Sequence, residues 1–427
     1  MTNKKHSFQV GQDWASVISA FLIMLLVLVG GYSIKTPSFG PKDGIGSIDA
    51  LFSSFTNASL AYSLGLTLVL CLGVAIIGQL LSGSSLKSFV YGFIAIYVIA
   101  IFAQFCSSFT FFKDLGLETV LFSLLIGLLI GNLFRLPAWL SNAVQTELYV
   151  KIGLVLLGCT ILFGDVMQAG GKGLIQGAVV VIAVWYFAFW VAKKLKVDDE
   201  FSTMLASAVS ICGVSAAIAT AGAINGDKKK LSFIISLVLI VAIPMMIFMP
   251  VIAQWMGLAD EVTGAWLGGT IDTTGAVVAA GTIAGDVGLK YATIIKFSQN
   301  VLLGIAAFCI SVFWAYRSRT GKSDSGAPQQ RVSLKIIWER FPKFVLGFIV
   351  ASLVFSFLLD AGTAKAAGSA CKSLSTFWFN LAFVCIGLET RFSDFKRMGS
   401  KKPMYAFLIA QGFNIVLTLL VAWLLFG

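Results

Sequence analysis

The stretch GGTIDTTGAVVAAG, residues 268–281, decides how this chain is read. It sits in a sequence that is 58% hydrophobic, yet residues 268–275 carry Gly268, Gly269, Gly275, three threonines and the carboxylate of Asp272. Glycines permit backbone angles outside the helix, and Thr270, Thr273 and Thr274 can hydrogen-bond the groups that a break sets free. A charge and a helix breaker at the centre of an apolar run predict an interrupted helix lining a site.

The surroundings are those of a membrane protein. Only 12% of the 427 residues are charged and mean hydropathy is +0.91, against about 25% charged residues in a soluble domain. Apolar runs recur along the chain, each near the roughly 20 residues that cross a bilayer as a helix. The first, WASVISAFLIMLLVLVGGY from Trp14, follows Lys4 and Lys5. No small-residue cleavage site stands out after it, so it reads as a retained helix or anchor. The net charge of +11 is spread over short loops, which is an orientation signal and not a nucleic-acid patch. Cys71, Cys106, Cys159, Cys212, Cys309, Cys371 and Cys385 have neither disulfide nor metal-ligand spacing and read as small buried hydrophobes. The single histidine, His6, lies in the polar tail, so no histidine-based metal or catalytic site is expected.

The expected fold is an all-α polytopic membrane protein with about 11 to 13 transmembrane helices. Spans are predicted near 14–32, 59–81, 88–105, 115–134, 145–164, 173–192, 201–225, 231–257, 263–283, 291–316, 342–359, 374–391 and 402–426. Residues 1–110 form an N-terminal extension with about three helices, 111–316 a first transport-core part and 341–427 a second. Between them, 317–340 (RSRTGKSDSGAPQQRVSLKIIWER) is a basic linker expected on the cytoplasmic side. If every span crosses, the N-terminal side holds most of the Lys and Arg and should be cytoplasmic. GDKKK at 226–230 then falls on the wrong side. The conflict disappears if 201–225 and 263–283 dip into the membrane and return, a choice the sequence leaves open.

Two segments, GCTILFGDVMQAG (158–170) and GLETRFSDFKRMG (387–399), share Gly, Phe, Asp and Gly at identical spacing. Repeats meeting near the midplane are characteristic of secondary transporters. The order of the other elements is not a simple tandem, so the second unit is either permuted or not a true repeat.

The segment ASAVSICGVSAAIATAGA (206–223) is the counterpart of the opening stretch, with Ser210, Cys212, Gly213 and Ser215 at its centre. Taken alone, its small residues and hydroxyls equally suit close helix packing. A broken helix creates a new N-terminus inside the membrane, where unpaired N–H groups and the helix dipole favour an anion. Ser210, Cys212, Gly213, Ser215, Gly269, Thr270, Thr273 and Thr274 are therefore the expected substrate-binding residues.

Asp272 opposes that field and costs roughly 2.5–3.5 kcal/mol at a helix centre. It would bind a coupling Na⁺, carry a proton, or pair with Lys296; a static cap on the second half-helix is the plainer alternative. Lys296 lies in YATIIKFSQNVLLG (291–304) beside Ser298, Gln299 and Asn300, and its plainer reading is snorkelling. Asp272, Lys296, Gln299 and Asn300 are the expected ion-coupling group. Glu147 and Lys151 read as a local i,i+4 pair, Asp165, Arg391 and Asp394 as span-end anchors, and Glu118 as a first-turn acid.

The motifs SICGVSA (210–216), GGTIDTTGAVVAAG, ATIIK at the start of the next helix and GLETRF (387–392) resemble the YeiH-like family, named for sulfate export. The resemblance covers roughly 115–426. It implies kinship with the sodium/proton antiporter and bile-acid symporter fold: inverted repeats, a panel domain, and a core with two crossed, interrupted helices. Where that family usually has a histidine, an acid and a glutamine, this chain has Asp272, Thr273 and Ala276, and it has Gln299 in place of a basic residue.

The expected function is secondary transport, in the export direction, of a small anion such as a sulfate-like oxyanion or an organic sulfonate or carboxylate. Coupling would be to Na⁺ or H⁺. The alternative is a cation/proton antiporter using Asp272 and Lys296. No cofactor, no resident metal, no nucleic acid and no catalytic residue is expected, so the chain is not read as an enzyme. The lipid bilayer, the anion and a second copy in a homodimer are the expected partners, and the inner (cytoplasmic) membrane is the expected location.

Overall fold

The computed structural model describes residues 11–30, 34, 36–39, 45–46, 58–82, 86–114, 119–224, 226–319, 335–391 and 401–427. His6, Glu118, most of the linker 317–340 and the second repeat copy beyond Arg391, Asp394 included, lie outside the described residues. In chain order the principal helices begin with α1 (Gln12–Val29), α2 (Ala58–Leu81), α3 (Phe89–Ser107), α4 (Thr119–Leu133), α5 (Thr146–Leu157) and α6 (Phe163–Lys194). Next come α7 (Asp199–Ser207), α8 (Val214–Ile224), α9 (Lys228–Trp255), α10 (Asp260–Thr270) and α11 (Thr274–Ile283). The last are α12 (Gly285–Arg319), α13 (Lys343–Leu353), α14 (Ala361–Glu389) and α15 (Lys401–Phe426).

The protein is an all-α polytopic membrane protein. Among the described residues, 9 helices are long and apolar enough to cross a bilayer. Helices Thr119–Leu133 and Lys343–Leu358 are apolar as well but shorter.

The chain divides into two compact units, one of Met1–Gly164 with Lys343–Arg391, the other of Asp165–Pro342 with Phe392–Gly427. These boundaries cut across the sequence-based divisions at 110 and 316, because each unit is assembled from segments distant in the chain. Both copies of the repeated segment, 158–170 and 387–399, straddle a point where the chain leaves the first unit for the second.

In the first unit α4 and α14 approach backbone to backbone. A methyl group added at Gly127 would lie 2.4 Å from the Val384 carbonyl oxygen. Lys151 pairs with Glu147 at 2.9 Å, as the i,i+4 spacing predicts, and also with Asp13 of α1 at 3.1 Å. Asp13 in turn accepts from the Lys343 N–H at 2.9 Å, so one acid ties α1 to α5 and to the start of α13.

The second unit contains both interrupted helices, and each folds back on itself. From Asp199 to Ile224 a straight helix would measure about 39 Å, yet its two ends touch. Glu200 accepts from the Asp227 N–H, and Lys230 pairs with Asp198 at 2.8 Å and Glu200 at 2.7 Å. The second follows suit: methyl groups added at Gly264, Gly268 and Gly281 would all lie within 3.3 Å of Ala292, although Gly264 and Gly281 would be roughly 26 Å apart along a straight helix. Segments 201–225 and 263–283, predicted as spans, are thus re-entrant hairpins, α7–α8 and α10–α11. Backbone carbonyls at their tips accept from buried side chains, which removes the need to continue through the membrane.

Helix α9 sets the direction of entry. Its 28 residues reach about 42 Å, and it begins just after the first hairpin ends and finishes just before the second begins. The hairpins therefore enter from opposite ends of the unit. Lys193, Lys194, Lys196 and Lys228–Lys230 gather at the root of the first hairpin, whereas Asp260, Glu261 and Asp286 mark the root of the second. A buried apolar cluster that includes Val184, Leu205, Ala217, Leu237 and Phe407 seats the first hairpin among α6, α9 and α15.

Candidate functional site

The two hairpin tips meet. At the first, α7 widens into a π turn, Ala208–Cys212, closed by a bond from Gly213 N–H to Ala208 O at 3.0 Å. Gly213 then adopts φ of +60°, a left-handed backbone that favours glycine. A methyl group there would lie 2.7 Å from Val238, 3.1 Å from Asp272 Cβ and 3.3 Å from Thr273 Cγ2. No larger residue fits the meeting point. At the second tip α10 ends at Thr270, Ile271 is extended, and α11 starts at Thr274.

A break in a buried helix frees carbonyl groups that must find donors or cost free energy. Here four side chains supply the donors. Lys296 Nζ donates to Ile211 O at 2.8 Å, to Ile271 O at 2.8 Å and to Gln299 Oε1 at 2.9 Å. Gln299 Nε2 donates to Ser210 O at 2.9 Å and Gly269 O at 3.3 Å. From α15, Gln411 Nε2 reaches Thr270 O at 3.0 Å, and Asn414 Nδ2 reaches Thr270 O at 3.2 Å and Val209 O at 3.3 Å. Lys296, Gln299 and Asn414 each bond both tips.

Lys296 is 1% exposed and spends all three ammonium donors in this way, so the snorkelling reading fails. A buried cation needs compensation. Each helix C-terminus carries about half a negative charge, so the two helix ends that meet at Ile211 and Ile271 together supply roughly one.

Asp272, also 1% exposed, makes no ion pair with Lys296. Neither of its carboxylate oxygens has a hydrogen-bond partner, although Lys296 and Gln411 lie close enough to act on its charge. The capping role belongs to Thr273, whose Oγ1 accepts from Ala276 N–H at 3.4 Å. Several other buried acceptors at the tips are unpartnered: Ser210 Oγ, Thr270 Oγ1, Asn300 Oδ1 and Gln411 Oε1. Carboxylate, hydroxyl and amide oxygens without donors are the groups that accept a proton or surround a small monovalent cation.

The opposite polarity lies on the same tips. Helices α8 and α11 both start there, presenting first-turn N–H groups and about half a positive charge each. Ser215 is exposed and Val214, Thr273 and Thr274 are half-buried, so this side of the junction is open. Asn300 Nδ2 donates to Thr274 Oγ1 at 3.3 Å. Cys212 is buried, at the end of the π turn.

The predicted residues Ser210, Cys212, Gly213, Ser215, Gly269, Thr270, Asp272, Thr273, Thr274, Lys296, Gln299 and Asn300 all lie at or beside this junction. Sequence reading missed Gln411, Asn414 and Gln176, the last donating to Ala265 O at 2.8 Å. The signal for the first two was present, as two amides three residues apart in the apolar run of α15.

Over residues 91–406 the sequence matches the family described as Conserved hypothetical protein 698. A UPF0324 membrane protein of Rhodopirellula baltica is 38% identical over 388 residues, covering 89% of this chain and 69% of its own length. A UPF0324 membrane protein of Nitratidesulfovibrio vulgaris is 38% identical over 362 residues, 82% of this chain and 62% of its own. The UPF0324 membrane protein YdhF of Lactococcus lactis is 27% identical over 338 residues, 78% of this chain and 98% of its own. The chain thus spans 62% to 69% of the first two relatives, and the Rhodopirellula match reaches into the N-terminal region that the family match leaves out. No solved structure matches this chain.

Proposed function

The chain belongs to the family described as Conserved hypothetical protein 698, and from that premise we propose that it is a secondary transporter exporting a small anion by alternating access. The observation that carries the proposal is the meeting of two re-entrant hairpins, rooted at opposite ends of one unit, at Gly213 and Asp272–Thr273. Such an arrangement supplies two helix N-termini to one open point inside the membrane, with the hydroxyls of Ser215, Thr273 and Thr274 as neutral donors. The substrate class that suits it is a compact oxyanion, sulfate-like or a small organic sulfonate or carboxylate. Asp272, buried and unpartnered, takes up H⁺ or Na⁺ during the cycle, which couples anion movement to a cation gradient. Lys296 holds the C-terminal ends of the tips so that the N-terminal ends keep their register. The lysine-rich end of the second unit would face the cytoplasm, in the inner membrane.

A second reading, cation/proton antiport through Asp272, draws on the same unpartnered carboxylate. In that case Lys296 is not its exchange partner, because its donors are already engaged by Ile211, Ile271 and Gln299.

The test is sulfate flux in proteoliposomes under imposed Na⁺ and pH gradients, comparing wild type with Asp272→Asn. Saturable sulfate movement whose gradient dependence disappears in the variant is the expected result. Collapse of a pH gradient on adding Na⁺, without any sulfate movement, would favour the antiporter.

A further inference from the structure

At the lysine-rich end of the second unit, beyond the root of the first hairpin, lies a recess of about 370 Å³. Its floor is apolar: Val197 and Pro403 are buried, and Phe201 and Phe233 meet edge to face at 5.4 Å. Its rim is cationic. Lys196 lies in the turn that follows α6, Lys229 opens α9 and Lys402 opens α15, so three chain segments bring lysines to the same opening.

These lysines differ from their neighbours. Lys193 is paired with Asp199, and Lys230 with Asp198 and Glu200. Among the described residues no acid pairs with Lys196, Lys229 or Lys402. The one carboxylate on the recess, Asp198, is already held by Lys230 and by Phe201 N–H at 3.0 Å. Lys196 also occupies a left-handed backbone position, φ of +61°, where glycine would sit without strain.

All three lysines stand at the ends of apolar helices, the depth at which lipid headgroups lie. We propose that this recess binds an anionic phospholipid, its phosphate among Lys196, Lys229 and Lys402 and the first segment of an acyl chain on Phe201 and Phe233. A zwitterionic lipid would bring its own cation into a cationic rim. A soluble anion would leave the apolar floor without a partner. Basic recesses between membrane helices on the cytoplasmic side are suited to acidic headgroups for these reasons. The bound lipid would brace the root of the first hairpin, and this inference does not rest on the transport reading.

The test uses the full chain in nanodiscs of phosphatidylcholine with and without phosphatidylglycerol, with retained lipid counted by native mass spectrometry. Wild type is expected to retain phosphatidylglycerol preferentially. A triple variant, Lys196→Gln with Lys229→Gln and Lys402→Gln, should bind it about a hundredfold more weakly, at about one interfacial lysine's attraction per substitution. Lys172→Gln, at the other end of the unit, should leave the preference intact. Should the triple variant fail to fold, a salt titration of wild type serves instead: preferential retention must weaken as ionic strength rises. Equal retention of both lipids, or salt-independent retention, overturns the proposal. Complete displacement of phosphatidylglycerol by soluble glycerol phosphate overturns it as well and makes the recess a soluble-anion site.

Discussion

Lys296 shows how one residue can satisfy two breaks at once. Lys296→Met would leave Ile211 O, Ile271 O and Gln299 Oε1 without their shared donor, each orphaned group costing roughly 1–3 kcal/mol. The expected outcome is a loss on the order of 3 kcal/mol, read as a lower unfolding midpoint in detergent, and Lys296→Arg should not restore it, because a planar guanidinium is larger and differently forked. An unchanged midpoint in the methionine variant would sink this role. The residues of the site were partly legible in the sequence. Asp272 and Lys296 stood out because a charge in an apolar run is expensive. Of the three roles open to Asp272, pairing with Lys296 is not the one observed, since the sequence reveals which charges are buried but not that backbone carbonyls, invisible in residue names, are the better acceptors. Gln411 and Asn414 escaped notice for the same reason: amides signal little until the carbonyls they bond are known.

At the scale of the element, the hairpins account for the lysines of GDKKK. Once 201–225 returns to its starting side, Lys228–Lys230 join Lys193, Lys194 and Lys196 at one end, in agreement with the charge rule. The sequence contained the breaks but not their consequence, because glycine and threonine permit a reversal without specifying one; the contacts of Asp227 with Glu200 and of Gly281 with Ala292 specify it. In a cysteine-free background, Lys196→Cys and Lys228→Cys should react with a membrane-impermeant thiol reagent from one face. Asp260→Cys and Asp286→Cys should react from the other. Labelling of either pair from opposite faces would mean that the helices cross. The root of the first hairpin also responds to pH. Partial burial pushes the Asp198 carboxyl up, but the Lys230 ammonium and the Phe201 N–H outweigh it and hold the group below the usual carboxylate range. A depressed carboxylate stabilises the fold above its unfolded pKa of about 3.9, and this stability is lost as pH falls through the lower folded value. Asp198→Ala should cost about 1 kcal/mol at neutral pH, mostly as a lost helix cap, since the ion pair is half exposed and contributes little. The gap between variant and wild type in denaturant unfolding should begin to narrow below about pH 4, as the carboxylate takes up a proton.

At the scale of the whole molecule, composition and apolar runs made the membrane class readable, because a bilayer imposes a length and a hydropathy on every crossing. The assembly into two units was not readable. Each unit draws on two stretches of chain, and only packing reveals which stretches belong together. One trace was visible beforehand: the short repeat GCTILFGDVMQAG and GLETRFSDFKRMG, which marks where the chain passes from the first unit to the second. The transport chemistry proposed above, by contrast, would rest on one junction in one unit.

The shared donors at that junction have a mechanical consequence. Lys296, Gln299 and Asn414 are each bonded to both tips, so neither hairpin can withdraw alone without tearing donors from carbonyls on both sides. Two independently swinging gates would have to break these bonds at every turnover. The second unit is instead tied together at its centre, and under the proposed transport reading access from alternate faces would come at least cost from moving it as one solid piece, cargo and counter-charge together.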